Sequence, residues 1–203
     1  GTTCARVGCM PSKLLVAAAG FAHAIGKAPE MGIHVDGVVR IDGRAVMDRI
    51  RCERDRFVGF ALGEVQQIPD ADRLLGHARF VDNRTLAVAN HTRVQAKSIV
   101  IATGSRADYP DSFKALGERL IVSDNVFDWT DLPKSVAVIG PGIVGLEVGQ
   151  ALHRLGVRVA VLGRGGHLGP LSDPEILACA IATFKSEFVL EPDANIASME
   201  RDG

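Results

Sequence analysis

Val136-Ala137-Val138-Ile139-Gly140-Pro141-Gly142-Ile143-Val144-Gly145 is the stretch that decides the fold of this chain. Four apolar residues make a short buried strand, and a Gly-x-Gly-x-x-Gly follows at once. Leu146 to Leu155 then reads as a helix stopped by Gly156, and Val157 to Leu162 as the next strand. The glycine pattern alone says little, but a strand before it, a helix after it and a second strand at the right distance make it specific. Gly140 permits the tight turn, Gly142 lets the backbone approach a pyrophosphate, and Gly145 allows close helix–strand packing. The phosphate charge would sit on the helix N-terminus, with Ile143 and Val144 in its first turn. Gly149 serves packing. The acidic residue expected about 20 residues on, which would bind a ribose 2′-hydroxyl, is missing. In its place the chain reads Gly163-Arg164-Gly165-Gly166-His167. Arg164, with His167 near it, can contact a 2′-phosphate; it reads equally as a solvent-exposed loop arginine.

The second informative stretch is Cys4-Ala5-Arg6-Val7-Gly8-Cys9, running into Met10-Pro11-Ser12-Lys13-Leu14-Leu15. Pro11 suits a first helical turn and Leu14 to Ala19 favours helix, so Cys9 is expected at a helix N-terminus. Helix dipole and unpaired N–H groups there stabilise a thiolate, and Lys13, four residues on, acts in the same sense. Cys4 precedes it on a loop, and Gly8 gives the backbone the freedom to bring the sulfurs together. The pair reads as a redox-active disulfide. A structural disulfide would close a very short loop, which constrains the unfolded chain least. Zinc normally takes four clustered ligands, whereas Cys52 and Cys179 stand alone in helical stretches and are expected to be buried, inert thiols, so no metal site is expected.

At 203 residues and 47% hydrophobic content the chain can bury a core. Its 23 Lys+Arg against 24 Asp+Glu nearly cancel, with no basic stretch interleaved with aromatics, so no nucleic-acid partner is expected. Arg49, Arg51, Arg54 and Arg56 alternate with Asp48, Glu53 and Asp55, which reads as a solvated helix face. No run approaches ~18 consecutive apolar residues and no signal peptide is evident, so a cytoplasmic location without membrane contact is expected. In a reducing compartment a Cys4–Cys9 bridge would be transient and catalytic.

Between the two motifs, a loop over 28–42 leads to a helix from Arg44 to about Gln67. A three-stranded meander follows: Ala78 to Val81, Thr85 to Val88 and Arg93 to Gln95, turning at Asp82-Asn83-Arg84 and Asn90-His91. Ser98-Ile99-Val100-Ile101-Ala102 reads as a buried strand ending at Thr103-Gly104-Ser105. The polar run Ser123 to Pro133 looks like a domain boundary.

With Gly1-Thr2-Thr3 in front, the cysteine segment resembles the redox motif of the class I pyridine nucleotide-disulfide oxidoreductases, particularly the dihydrolipoamide dehydrogenases. That motif runs Gly-Gly-Thr-Cys, four residues, Cys, a variable residue, Pro-Ser-Lys; Thr2 departs from its second glycine and Ala5-Arg6 from the common Leu-Asn or Val-Asn. The resemblance implies α/β, Rossmann-like FAD- and NAD(P)-binding domains, both incomplete, with a β-meander. Residues 1–122 would belong to the FAD domain, 123–133 to a connector, and 134–203 to the NAD(P) domain. It also implies that Cys4 exchanges with a dithiol or disulfide substrate, lipoamide above all, that Cys9 faces the flavin, and that Lys13 lies near flavin N5. Thr3, Ala78, Thr103 and Gly104 would join Lys13 on the FAD side, and Gly140, Gly142, Ile143, Val144, Gly145 and Arg164 on the NAD or NADP side. Glu147, in Gly145-Leu146-Glu147-Val148-Gly149, matches the family's Gly-Leu-Glu-Leu-Gly, which implies an ion pair with Lys13 beside the nicotinamide. On residue type alone it is a helix-surface carboxylate.

The resemblance covers nearly the whole chain, and the chain covers less than half of the family's enzyme. An FAD-cradling segment upstream, and a second FAD segment and a dimer-interface domain with a catalytic His-Glu pair downstream, would lie outside it. His23, His34, His77, His91, His153 and His167 are scattered in no pattern that replaces that base. The chain is therefore read as an internal fragment of a homodimeric flavoprotein. Glutathione and mercuric reductases share the same core, and Pro11-Ser12-Lys13 favours the lipoamide or mercuric branch. A catalytically inert nucleotide-binding module is the reading from a different class.

Overall fold

The computed structural model of the chain describes residues 3–196 and 198–200. The Gly1 and Thr2 positions of the redox motif lie outside them.

Two short turns of sequence start the molecule. Helix α1 (Thr3–Arg6) leads through Val7 and Gly8 into α2 (Cys9–Lys27), which begins at Cys9 as expected. Helix α3 (Gly43–Gln66) opens on Asp42, whose carboxylate accepts from the Ala45 N–H at 3.1 Å as an N-cap does. The meander forms in register: β1 (Ala78–Phe80), β2 (Thr85–Val88) and β3 (Thr92–Gln95) pair antiparallel, Ala78 opposite Val88 and Leu86 opposite Val94.

The second sheet is parallel. Strands β4 (Ser135–Ile139), β5 (Arg158–Leu162) and β6 (Val189–Glu191) lie in the order β4-β5-β6, with Val138 opposite Val161 and Val161 opposite Leu190. Helix α4 (Ile143–Arg154) connects the first pair and α5 (Pro174–Glu187) the second, the crossovers a parallel sheet requires. Asp173 caps α5, its carboxylate accepting from the N–H groups of Glu175 and Ile176, with Pro174 in the first turn.

One apolar cluster runs through most of these elements. It takes Leu15 and Ala19 from α2, Met47 and Ile50 from α3, Val148, Ala151 and Leu152 from α4, Val159 and Val161 from β5, and Leu190 from β6. Helix α2 packs against both α3 and α4. The run Thr3–Met31 is by length and composition apolar enough to cross a bilayer, one such run among the described residues. It also carries Arg6 and Lys13, and it buries Leu15 and Ala19 between its helical neighbours, as a core helix does.

Four expectations are corrected. Cys4 lies within the helical turn Thr3–Arg6 and not on a loop, because the turn closes through the Val7 N–H onto the Thr3 carbonyl at 2.9 Å. Residues 98–102 form no strand: Val100 is 87% and Ile101 71% exposed, and no described strand pairs with them. An apolar run becomes a strand only against a hydrogen-bonding neighbour, and neither three-stranded sheet offers one here. Cys52 and Cys179 do lie in helices, α3 and α5, but both are exposed, because their positions fall on the outer faces. The arginine-rich face of α3 is not wholly solvated. Arg54 donates to the Phe127 carbonyl at 3.2 Å and to Asp128 at 2.6 Å, Arg51 donates to the Trp129 carbonyl, and Arg44 reaches Asp131 at 3.2 Å. The polar connector is thereby strapped to α3, and its 3-10 turn Ser123–Asp128 pushes Val126 and Phe127 into the core.

Phe127 is 2% exposed, so Phe127→Ala should cost about 3–5 kcal/mol in urea denaturation. A loss under about 0.5 kcal/mol, the surface-substitution level, would return 123–133 to the status of a free linker.

Candidate functional site

The redox segment folds back on itself. A Cβ at Gly8 would lie 3.3 Å from the Thr3 carbonyl oxygen and 3.5 Å from the Cys4 Cα. What Gly8 supplies is therefore close backbone approach, at φ −122° and ψ −115°, without a left-handed turn. The approach brings Cys4 within hydrogen-bonding reach of Cys9, and both are exposed free thiols. Hydrogen bonding to the Cys9 side chain, with some desolvation and the Cys9 charge, pushes the Cys4 thiol up; the N–H groups of Cys9 and Met10 pull the other way and lose. The Ser12 hydroxyl donates to the Cys9 carbonyl at 3.2 Å, and Ser12 N–H to the Gly8 carbonyl at 3.1 Å, which fixes the first turn of α2.

One turn further, Lys13 Nζ stands 2.6 Å from Glu147 Oε2. The partners are 134 positions apart and lie on α2 and α4. The Glu147 side chain is 25% exposed, so it is not a plain surface carboxylate. Burial pushes its carboxyl up, but hydrogen bonds from Lys13 and Ser12 and the Lys13 charge outweigh that and hold it below the usual carboxylate range.

At the start of α4 the glycines take their expected places. Gly140 has φ +105°, a backbone that favours glycine, and donates its N–H to the Leu162 carbonyl at 2.8 Å. Gly142 is the N-cap residue, with open space where a Cβ would be, and a Cβ at Gly145 would collide with the Gly140 carbonyl. Ile143 and Val144 are 65% and 57% exposed beside it. A cradle with no side chain at Gly142, closing on the free N–H groups of a twelve-residue helix, fits a dinucleotide pyrophosphate. A cleft of about 330 Å³ opens on the same side, among Ile143, Leu146, Glu147, Gln150 and Leu168.

At the end of β5, Gly163 is hemmed in from two sides. A Cβ there would meet Pro141 Cγ at 2.5 Å and the Pro192 carbonyl oxygen at 2.7 Å. Arg164 is exposed and Asp193 accepts from the Gly165 N–H at 2.7 Å. Asp193 was missed by the sequence reading, since it lies on the loop after β6 and only sheet order brings it to this turn.

Gly104, with φ +74°, approaches Thr3: a Cβ on it would lie 4.0 Å from Thr3 Oγ1. The strand-end turn thus reaches the redox segment even though the strand before it does not form. Thr103 is exposed next to it. Ala78 is not drawn into this group; it is exposed in β1, paired with Val88.

The structure thus joins a glycine cradle, through an ion pair, to a helix that begins at Cys9, in an α/β fold. The chain belongs to the pyridine nucleotide-disulphide oxidoreductase family, which matches residues 1–193. FAD and NAD(P)H are the cofactors of that family. A dihydrolipoyl dehydrogenase of Chlamydia trachomatis serovar D is 30% identical over 100% of this chain and 44% of its own length. A mercuric reductase of Lysinibacillus sphaericus is 29% identical over 87% of this chain and 32% of its own. In fold, the chain is similar to the HOCl-induced flavoprotein disulfide reductase RclA of Escherichia coli, with a TM-score of 0.76 at 20% identity, covering 100% of this chain and 43% of that one. The chain spans less than half the length of these relatives.

Because the folded Glu147 carboxyl is held below its unfolded value of about 4.3, its contribution to stability is full above that pH and fades as pH falls through the lower, folded value. Glu147→Gln should remove this part of the acid dependence, at most about 1 kcal/mol for so exposed a lysine partner, in urea denaturation at a series of pH values. An unchanged pH profile would mean the pair does not form in solution.

Proposed function

We propose that these residues are the dithiol-bearing and nucleotide-binding part of a flavin-dependent dithiol–disulfide oxidoreductase that acts on lipoamide, in the manner of a dihydrolipoyl dehydrogenase. The observation that carries this reading is the 2.6 Å Lys13–Glu147 pair, which ties the helix starting at Cys9 to the helix closing the glycine cradle. In this reading residues 1–122 serve the FAD side, 123–133 connect, and 134–203 serve the nicotinamide side. A cytoplasmic homodimer is part of the same proposal.

Cys4 is the group that meets substrate. Its thiolate attacks one sulfur of a disulfide, forming a mixed disulfide as the other sulfur leaves with the electron pair and takes up a proton. Cys9 then attacks the Cys4 sulfur, expels the second substrate thiolate and closes the Cys4–Cys9 bridge; run backwards, the same steps oxidise a dithiol. Bound FAD and nicotinamide nucleotide supply the hydride chemistry that resets the pair. Lys13 would lie beside the flavin, with Thr3, Thr103 and Gly104 lining the approach, and Glu147 would keep the Lys13 charge aimed there. Ala78 serves this reading only on the strength of the resemblance.

At the ribose end, Gly163 leaves no room for the carboxylate that would select NAD, and Arg164 stands exposed where a 2′-phosphate would lie. This favours NADP. Arg164→Glu should then raise KM for NADPH about tenfold or more while leaving NADH within about twofold, the loss expected of one charge-assisted phosphate contact. Equal losses for both nucleotides would assign NAD.

The function itself is tested by anaerobic addition of dihydrolipoamide to the flavin-loaded protein. Bleaching of the flavin absorbance is expected, slowed at least about a hundredfold in Cys4→Ser, as for loss of a nucleophile. A flavin bleached by reduced nicotinamide but by no dithiol would move the protein to a sister reductase, the mercuric branch first.

A further inference from the structure

Glu187 ends α5, and a carboxylate at a helix C-terminus opposes the helix dipole. Its tertiary partners account for it. Oε2 accepts from Arg154 Nε at 3.0 Å, and Oε1 accepts from the second Arg154 nitrogen at 2.9 Å and from Gln150 Nε2 at 2.8 Å. This is a two-pronged arginine–carboxylate fork with side chains only 25% and 20% exposed, the geometry in which such a pair is most directional. The Arg154 bonds, against some desolvation, hold the Glu187 carboxyl below its usual range. Helices α4 and α5 are joined at this carboxylate.

Gln150 and Arg154 follow Glu147 by three and seven residues, so all three share one face of α4. The fork grips that face about 10 Å along the axis from Glu147. We propose that Glu187, through Arg154 and Gln150, is a positioning residue that fixes the rotation of α4 and so sets Glu147 against Lys13. The inference rests on the role given above to Glu147. Apolar packing of Val148, Ala151 and Leu152 on β5 supplies adhesion, and the fork adds a directional hold at the far end of the helix. A rotation of about 20° carries side-chain ends through about 2 Å, given a helix radius of about 5–6 Å with side chains. That is enough to break the 2.6 Å bond from Lys13.

The test is Glu187→Gln, which keeps the shape and one acceptor oxygen, read first by carbon-detected NMR titration of the Glu147 carboxyl. Removing a neighbouring negative charge would by itself move that titration down. Loss of the Lys13 contact would move it up, so a rise of about half a pH unit or more is expected, and a fall or no change overturns the proposal. The second readout is the rate of flavin reduction by reduced nicotinamide in the flavin-loaded full-length protein. Glu187→Gln should slow it about tenfold in the wild-type background and less than about twofold when Glu147→Gln is already present. Multiplying effects would overturn the proposal and leave Glu187 a purely structural anchor. If Glu147→Gln alone leaves the rate unchanged, the catalytic reading of Glu147 fails, and the NMR titration still decides the positioning. Should Glu187→Gln not fold, Arg154→Lys, which keeps the charge and loses the fork, takes the same measurements with the same expected directions.

Discussion

The contact between Lys13 and Glu147 depends on α2 and α4 packing along their length, and most of the structure follows from that packing. Leu15 and Ala19 on one helix, and Val148, Ala151 and Leu152 on the other, share a single apolar cluster with the strands beneath. Burying a leucine side chain stabilises by about 1.5–3 kcal/mol, whereas an ion pair with so exposed a lysine is worth at most about 1 kcal/mol. The apolar contact therefore brings the helices together, and the charges refine what it delivers. Because α2 begins at Cys9 and α4 begins at the glycine cradle, the same contact sets the dithiol beside the nucleotide loop.

The connector shows the same division of labour. Its polar residues suggest a free linker, and the arginines of α3 suggest a face turned to water. Together they satisfy one another: Arg51 and Arg54 cap the carbonyls of Trp129 and Phe127, backbone groups that would otherwise be left in an apolar setting. Val126 and Phe127 can then enter the core. A polar composition in two separate segments thus marks one packed junction.

Where local pattern misleads, the cause is a missing or unexpected neighbour. Residues 98–102 have the composition of a buried strand but no strand to pair with among the described residues, and so Val100 and Ile101 stay exposed. Cys52 and Cys179 sit in the helices their surroundings favour, yet helicity says nothing of which face meets the core, and both face outward. Gly163 carries the opposite lesson. It looks like one more loop glycine, while the passage of Pro141 and Pro192 beside it leaves no room for a side chain.

The sequence by itself determined the features whose physics closes within a dozen residues. These are the cradle from Gly140 to Gly145, the helix start at Cys9, and the meander with its two turns. Backbone conformation and side-chain period specify each of them locally, so they can be read off without knowing what packs against them. The Lys13–Glu147 pair was legible only through the family resemblance of the two motifs that carry it. The tertiary structure alone decided that Asp193 reaches the Gly165 turn and that Arg154 forks onto Glu187. Each joins residues more than two dozen positions apart, and such partners are chosen by how the apolar faces of whole helices and strands come together, which no local window of sequence contains.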